Sequence, residues 1–439
     1  MALIDKASLL MVPSTYEAGK LYNVLPSGNR APDNKGGAGY DQTRADFDFD
    51  RGSNAAATRI NSSGLIEKYR ENLLLQSNQF ENAAWGKSSA TFSGDTLTAG
   101  AGTAFKGISQ NEATQGVQNI SFDVAYIDHQ WVQILFGTSG SDVGYANFDI
   151  QNKVIGNYAG MIDVKIQDFS TYVRISVAIN ASAKTSVYLI FVDSGTRSRA
   201  ASSSSTGSFK LFRSQVETGL VATEYLNSTS VTAKAGVLID LPRINYDANG
   251  ENGALLLEPQ RTNRFPNSEY SGGFSSGSAI TATDNAAISP EGVQNAIKIE
   301  KTTNGYAYFR SSAIAALAGC LSVFAKKGNY RYIGLRNNQT SGVHSVFDFD
   351  TETFVNVATG QTCTFEDYGN GWYRLIAYQP NNEFSSYQGV AMTDSNGNES
   401  IGSFVPNGSH FFIYGLQQEA SATYPTSYIP TMGTAQTRA

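Results

Sequence analysis

The chain has 439 residues, a formal net charge of −6 and only 16% charged residues. That length exceeds what one ordinary core holds, so two or three domains are expected. The thin, slightly acidic charge excludes the basic stripe of a nucleic-acid binder, and no stretch approaches the roughly eighteen apolar residues of a membrane-spanning helix.

The opening MALIDKASLLMVPSTY sets no basic region before its short apolar run, which argues against secretion and for synthesis in a cytoplasm. Residues 1–56 are loop-rich, as in LPSGNRAPDNKGGAGYDQ at 25–42, with one alternating strand, DFDFDR, at 46–51. Such a segment lacks the apolar pattern of a core and suits an anchor that orders against a partner. ATRINSSGLIEK, 57–68, reads as two short strands about an NSSG turn.

Beyond this point the chain repeats itself. NLLLQS at Asn72 is matched by NRFPNS at Asn263, ISFDVAY at Ile120 by LSVFAKK at Leu321, and WVQI at Trp131 by YIGL at Tyr332. YVRI at Tyr172 is matched by WYRL at Trp372, and QVETGLVATEYL, 215–226, is echoed by QQEASATYPTSYI, 417–429. The order is kept and the spacing stays between 191 and 203 residues, which chance would not hold. Within the blocks, Ile120, Phe122 and Val124 alternate with Ser121, Asp123 and Ala125, and Val132, Ile134 and Phe136 with Trp131, Gln133 and Leu135, which is the period of a half-buried strand. Turn clusters such as GTSGSD (137–142), DSNGNE (394–399) and PNGS (406–409) separate them. The expected fold is all-β: two tandem antiparallel β-sandwich domains of jelly-roll type behind an extended N-terminal anchor. The boundaries are 1–56 for the anchor, 57–229 for a hairpin plus the first module, and 230–439 for a hairpin plus the second. The closing GTAQTRA resembles NAAATRI at 54–60 and reads as the first strand of another such hairpin.

Catalytic motifs are missing: no HExxH, nucleophile elbow, Walker loop or GxGxxG occurs. His129, His344 and His410 have no partnered nucleophile, and His129 is expected in a solvated turn. Asp46, Asp48 and Asp50, like Asp348 and Asp350, alternate as the wet face of a strand does; a glycosidase needs two carboxyls across a cleft. Cys320 and Cys363 form no disulfide framework and are expected as buried, reduced thiols. Asp247, Asn249, Glu251 and Glu258 hold the first, third, fifth and twelfth places of a loop that offers oxygen to Ca2+. However, Asn252 stands where an EF-hand requires Gly, and the flanks read as strands. No other cofactor is expected.

Exposed aromatic residues remain. With Val132, Ile134 and Phe136 in the core, Trp131 and Gln133 face away, and the neighbouring block puts Asp123 beside them. The second copy has Phe324, Lys326, Tyr332 and Arg336 in corresponding or adjacent places. Aromatic faces beside polar groups suit sugars, which stack C–H faces and bond through hydroxyls. Burial beneath the second sheet, or in a subunit contact, is the competing explanation.

GKLYNVLP with DFDFDRGSNAAATRINSSGLIEKYREN, PRINYDANGENGALLLEPQRTN (242–263) and QQEASATYPTSYIPTMGTAQTR resemble segments of tailed-phage virion structural proteins. These are of head-fibre, tail-fibre or decoration type, with carbohydrate-binding-module-like jelly rolls. The resemblance implies a non-enzymatic virion-surface protein made in the host bacterial cytoplasm and attached to other virion proteins through residues 1–56. It implies modules that engage host-surface glycans, in a homo-oligomer that is a trimer if the protein is a fibre. It carries no catalytic residues. A purely architectural capsid or tail component and a capsular depolymerase are the alternatives. This chain departs from the usual layout by placing a module between the NSSG hairpin and the PRINY segment.

Overall fold

The computed structural model describes residues 20–21, 47–48 and 56–438, apart from 113–115, 139–140, 182–184, 200–201, 240, 312–317, 339–342, 381–383 and 400–403. Among these residues there is no helix.

The first module contains β1 (Gly86–Ser88), β2 (Ala90–Ser93), β3 (Thr96–Ala99), β4 (Gly107–Glu112), β5 (Gly116–Tyr126) and β6 (Trp131–Thr138). It continues with β7 (Ser141–Asp149), β8 (Val154–Ala159), β9 (Asp163–Asp168), β10 (Val173–Ala181), β11 (Thr185–Phe191) and β12 (Ser208–Thr218). They form two six-stranded sheets, β9-β10-β5-β12-β3-β2 and β8-β7-β6-β11-β4-β1.

The second module contains β13 (Phe274–Ser276), β14 (Ile280–Ala287), β15 (Ala296–Lys301), β16 (Tyr308–Ser311), β17 (Gly319–Lys327) and β18 (Tyr332–Asn338). It continues with β19 (Ser345–Asp348), β20 (Thr353–Asn356), β21 (Thr362–Asp367), β22 (Trp372–Gln379), β23 (Phe384–Ala391) and β24 (His410–Ala420). Its sheets run β21-β22-β17-β24-β15-β14 and β20-β19-β18-β23-β16-β13, so the two modules share one strand order. The tandem antiparallel sandwiches expected from the repeat are therefore present.

The period-two alternation places the cores. Ile120, Phe122, Val124, Val132, Ile134, Phe136, Phe148 and Leu189 fill the space between the first pair of sheets. Leu321, Val323, Ile333, Leu335, Phe347, Leu375 and Val390 do so in the second. Each such side chain contributes about 1.5–3 kcal/mol on leaving water.

The repeated ending is a buried polar clasp. In the second module Asn263 donates from Nδ2 to the carbonyls of Leu416 (3.0 Å) and Ile429 (2.9 Å) and accepts from the amides of Phe265 and Gln418. Asn72 does the same with Ser214, Leu226, Leu74 and Val216. Glu419 accepts from the amide and hydroxyl of Thr426, and Glu217 from those of Thr223. Gln417 accepts the Ile429 amide, and Gln215 that of Leu226, both at 2.7 Å. Polar groups this deep persist only when paired, which explains why both copies keep the same unusual residues.

The NSSG hairpin lies elsewhere than its sequence position suggests. Its strands, Thr58–Ile60 and Ile66–Lys68, pair with each other and dock on the second sandwich. The Thr58 hydroxyl donates to the Tyr428 carbonyl at 2.6 Å, and the Ile66 amide to that of Pro290 at 2.9 Å. Ile66 packs among Phe324, Trp372, Tyr414 and Tyr428. Lys68 reaches Glu269 at 2.6 Å and Glu291 at 2.8 Å. The hairpin also meets Ile244–Asn245: the Ile60 amide donates to the Asn245 side chain at 2.7 Å, and the Tyr246 amide to the Ile60 carbonyl. The two turns touch so closely that a Cβ on Gly64, at φ +72°, would fall 2.1 Å from the Ala248 carbonyl oxygen.

In space, then, the first sandwich is an insertion within a unit made of residues 56–68 and 243–438. This departs from a first domain that includes 57–68. The position matching Glu269 in the first module is Asn78, which offers Lys68 no carboxylate.

The chain's last described strand, Gln436–Arg438, pairs with Arg261–Asn263, as Ala233–Ala235 pairs with Arg70–Asn72. It closes its own module, where Arg438, 2% exposed, is held by Glu258 and the carbonyls of Ser427 and Pro259. The modules meet where Val117, Ala178 and Leu220 pack against Tyr270 and Met432, and where Asn285 donates to Asp163 at 2.6 Å.

Cys320 is buried and Cys363 half-buried. They lie two strands apart and one residue out of register, opposite Tyr378 and Ala377 of β22, so they project from opposite faces of the sheet. Burial pushes their thiols up to about 12 and about 11. Of residues 1–56, the strand pair Lys20–Leu21 with Phe47–Asp48 is described. The rest of the expected attachment segment lies outside the described residues, apart from Ala56 at its end.

Lys68→Ala tests the docking. It leaves Glu269 and Glu291, whose side chains are 3% and 6% exposed, without their cation. The expected loss is about 3–5 kcal/mol from the second sandwich. Denaturant unfolding of the variant is expected to show the first sandwich's transition unchanged.

Candidate ligand-binding surface

The residues singled out from the sequence do not share a surface. β5 and β6 follow each other in the chain but lie in opposite sheets. Asp123 and Trp131 therefore face opposite sides of the sandwich, and so do Phe324 and Tyr332.

Asp123, 1% exposed, binds Arg174 through both oxygens at 2.7 and 3.0 Å and Arg213 at 2.8 Å. Phe324, also 1% exposed, occupies the matching place and lies under Arg374, whose guanidinium carbon is 5.4 Å from the ring centre. In each module the arginine carries on to the clasp, at the Thr223 or Thr426 carbonyl. Both residues are internal partners of an arginine and offer nothing to a ligand. Lys326 donates to the Asn370 carbonyl at 2.7 Å.

On the other sheet, Gln133 is fully buried, bonded to Asn147 at 2.7 Å and to the Ser198 carbonyl. Asn147 holds the carbonyls of Gly195 and Arg197. These bonds draw 195–198 across the outer face, where Trp131 packs with Leu135, Ile190, Val192 and Tyr188. A Cβ on Gly195 would fall 2.3 Å from the Trp131 ring, so that ring lies under backbone. His129 is not in a solvated turn. Both its ring nitrogens face carbonyls, of Thr206 (3.0 Å) and Trp131 (2.7 Å), and burial outweighs those bonds in lowering its pKa.

The oxygen-rich loop is likewise accounted for. Asp247 caps its own turn, accepting from the amides of Asn249 and Glu251 and from the Asn252 side chain. Asp394 does the same in DSNGNE. Glu258 is instead held by Arg243 at 2.9 Å and by Ser427. The four residues do not converge, and among the described residues no three of His, Cys, Asp and Glu gather to hold a metal. Asp348 is paired with Arg331 at 2.7 and 2.6 Å, and Asp350 with Lys327 and Arg331.

One surface does join exposed rings with polar groups, on the outer face of β16, β18 and β23. In YAYFR, Ala307 and Phe309 go to the core, so Tyr306, Tyr308 and Arg310 point outward. Across the sheet, Arg310 and Arg336 both oppose Gly389, one from each side. A Cβ there would fall 2.2 Å from the Phe309 carbonyl oxygen, so the row is arginine, glycine, arginine. The Arg310 guanidinium lies between two rings, 4.1 Å from the centre of Tyr308 and 4.3 Å from that of Tyr387. Arg336 lies 5.0 Å from Tyr308. Tyr306 is 51% and Tyr387 41% exposed.

Arg336 pairs with Glu399 at 3.2 Å, and His344 approaches the same oxygen at 3.3 Å. Burial raises the Glu399 carboxyl, but His344 and Arg336 outweigh it and hold the group below its ordinary range. In the first module the corresponding row is Ser109, Tyr188 and Leu135, of which the last two belong to the covered apolar layer. Of the residues expected from the sequence, this surface includes Arg336, with Tyr332 further along the same strand. Tyr306, Tyr308, Arg310 and Tyr387 were not anticipated, although the alternation in YAYFR carries the signal for the first three.

No family model matches this chain, and no curated protein matches it. Among solved structures, the N-terminal CBM22-1-CBM22-2 tandem domain from Paenibacillus barcinonensis Xyn10C is similar over 84% of this chain and 99% of that one, with 11% identity and a TM-score of 0.23. Likeness at that level fixes neither strand order nor a site.

The Glu399 pairing has a pH signature. A carboxylate held below its unfolded value, about 4.3, gives its full stabilisation above that pH and loses it as pH falls through the depressed folded value. Thermal melts of Glu399→Gln against the parent from pH 7 to pH 3 are expected to show lower stability for the variant at neutral pH. The difference should shrink on the acid side.

Proposed function

We propose that the chain is a non-catalytic, glycan-binding structural protein of a virion surface, anchored through residues 1–56 and displaying its second module to host glycans. The observation that carries the reading is the outward row of Tyr306, Tyr308 and Tyr387 beside arginine and glutamate groups. Ring faces take the C–H side of a sugar, and the charged edge takes its hydroxyls. The virion setting rests on the resemblance of 19–26, 46–72, 242–263 and 417–438 to phage structural proteins. It is supported by the fold joining 57–68, 242–263 and the closing stretch in one unit.

A shallow site of this kind binds weakly alone, since a small sugar offers few atoms and its hydroxyls give up water. Display in many copies, as on an oligomer, raises avidity by about 10²–10⁴. The architectural alternative draws on the burial of Phe324 and the cover over Trp131. A depolymerase would need a second carboxyl beside Glu399, which already serves Arg336 and His344.

The double variant Tyr306→Ala/Tyr387→Ala is expected to keep its melting temperature and bind host polysaccharide at least tenfold more weakly; unchanged binding would favour the architectural role. A chain beginning at Ala56 is expected to fold and bind glycan but to be missing from purified particles, whereas normal incorporation would place the anchor elsewhere.

A further inference from the structure

Arg310 stands apart from the arginines held by an ion pair or a carbonyl; among the described residues Arg70 and Arg261 form no ion pair either, but each reaches a backbone carbonyl. Arg174, Arg213, Arg243, Arg331, Arg336 and Arg438 each have a carboxylate partner. Arg310 has tyrosine rings on both faces and no carboxylate or carbonyl among the described residues, and its Nε is buried without a hydrogen-bond partner. In a chain of net charge −6, an uncompensated guanidinium clamped in one orientation stands out. Stacking fixes its plane, so the ordering cost of a bidentate contact is met before a ligand arrives. Its faces are occupied, and its terminal N–H edge is what it presents.

We infer that this surface selects acidic saccharides, with the carboxylate of a uronic- or sialic-type sugar on the Arg310 edge and the sugar ring against Tyr387 or Tyr306. The inference rests on the glycan-binding reading and names the class of sugar. A planar, singly charged carboxylate matches one guanidinium fork. A phosphate, with more charge, would call on a second cation, and Arg336 and His344 are committed to Glu399. The first module has Ser109 at the place of Arg310 and takes no part.

The test uses the full-length protein and two forms of one oligosaccharide: a uronic-acid oligomer, and the same oligomer with its carboxyls reduced to alcohols. A sialylated oligosaccharide and its reduced form make a parallel pair. Calorimetry is expected to show at least tenfold tighter binding of one acidic form than of its reduced partner, with the preference falling as NaCl rises from 50 to 500 mM. Arg310→Gln should bring the two forms to equal affinity while keeping the parent's melting temperature. Arg310→Lys, which keeps the charge but not the fork, should restore only part of the preference. If the parent binds both forms equally, or Arg310→Gln keeps the preference, the acidic selectivity is wrong. In that case loss of reduced-oligomer binding in Tyr306→Ala/Tyr387→Ala would show that the glycan reading still stands. If no saccharide binds the parent, both fall.

Discussion

The carboxylates of Glu217 and Glu419 close the two sandwiches, and much else follows from how they are satisfied. Each accepts the amide and hydroxyl of a threonine six or seven residues later, which turns the chain back over the outer face of the sheet it has just completed. The neighbouring glutamine and the lead-in asparagine fix the returning segment through its backbone. A buried network of this kind is favourable only when every member is bonded, so the ending cannot drift without cost. It also settles which face of each sandwich is free: the sheet with β5, or β17, is capped by its own chain, and only the opposite sheet can present side chains broadly.

On that opposite sheet the modules have diverged. The first fills the outer face with Trp131, Leu135, Tyr188 and Ile190 and draws 195–198 across them by bonds from Gln133 and Asn147. The second has Gly334 where the first has Gln133, so the bond that would hold such a cover is missing, and Arg336 stands in place of Leu135. Its 393–399 turn covers the His344 end, where Gly397 lies against the His344 carbonyl. Among the described residues, the tyrosine–arginine end keeps Tyr306 and Tyr387 exposed. One scaffold thus gives a sealed module and a displaying one.

The hairpin at 57–68 ties the two together. Lys68 loses water on docking, and the two carboxylates outweigh that loss and keep its pKa above the usual lysine value. The ammonium is thus retained at any physiological pH, and its contribution fades only in strong alkali, above about pH 10. The chain leaves the second sandwich's surface, builds the whole first sandwich, and returns to the same place.

The repeat and the all-β class were legible in the sequence, and so were the core residues, because alternation in Ile120–Val124 or Val132–Phe136 is a local consequence of the pleat. YAYFR carried the outward tyrosines in the same way. Whether Asp123 and Trp131 were neighbours was not legible, since period two says which residues share a face of one strand and nothing about which strands pair. Nor was the hairpin's destination: its recognition of Glu269, Glu291 and Pro290 joins residues about two hundred positions apart through complementarity of charge and shape. The tertiary structure alone decided that Gln133 would be sealed beneath a loop while Arg310, between two tyrosine rings, would have no carboxylate partner among the described residues. Burial and pairing belong to the assembled sheets, and no single strand encodes them.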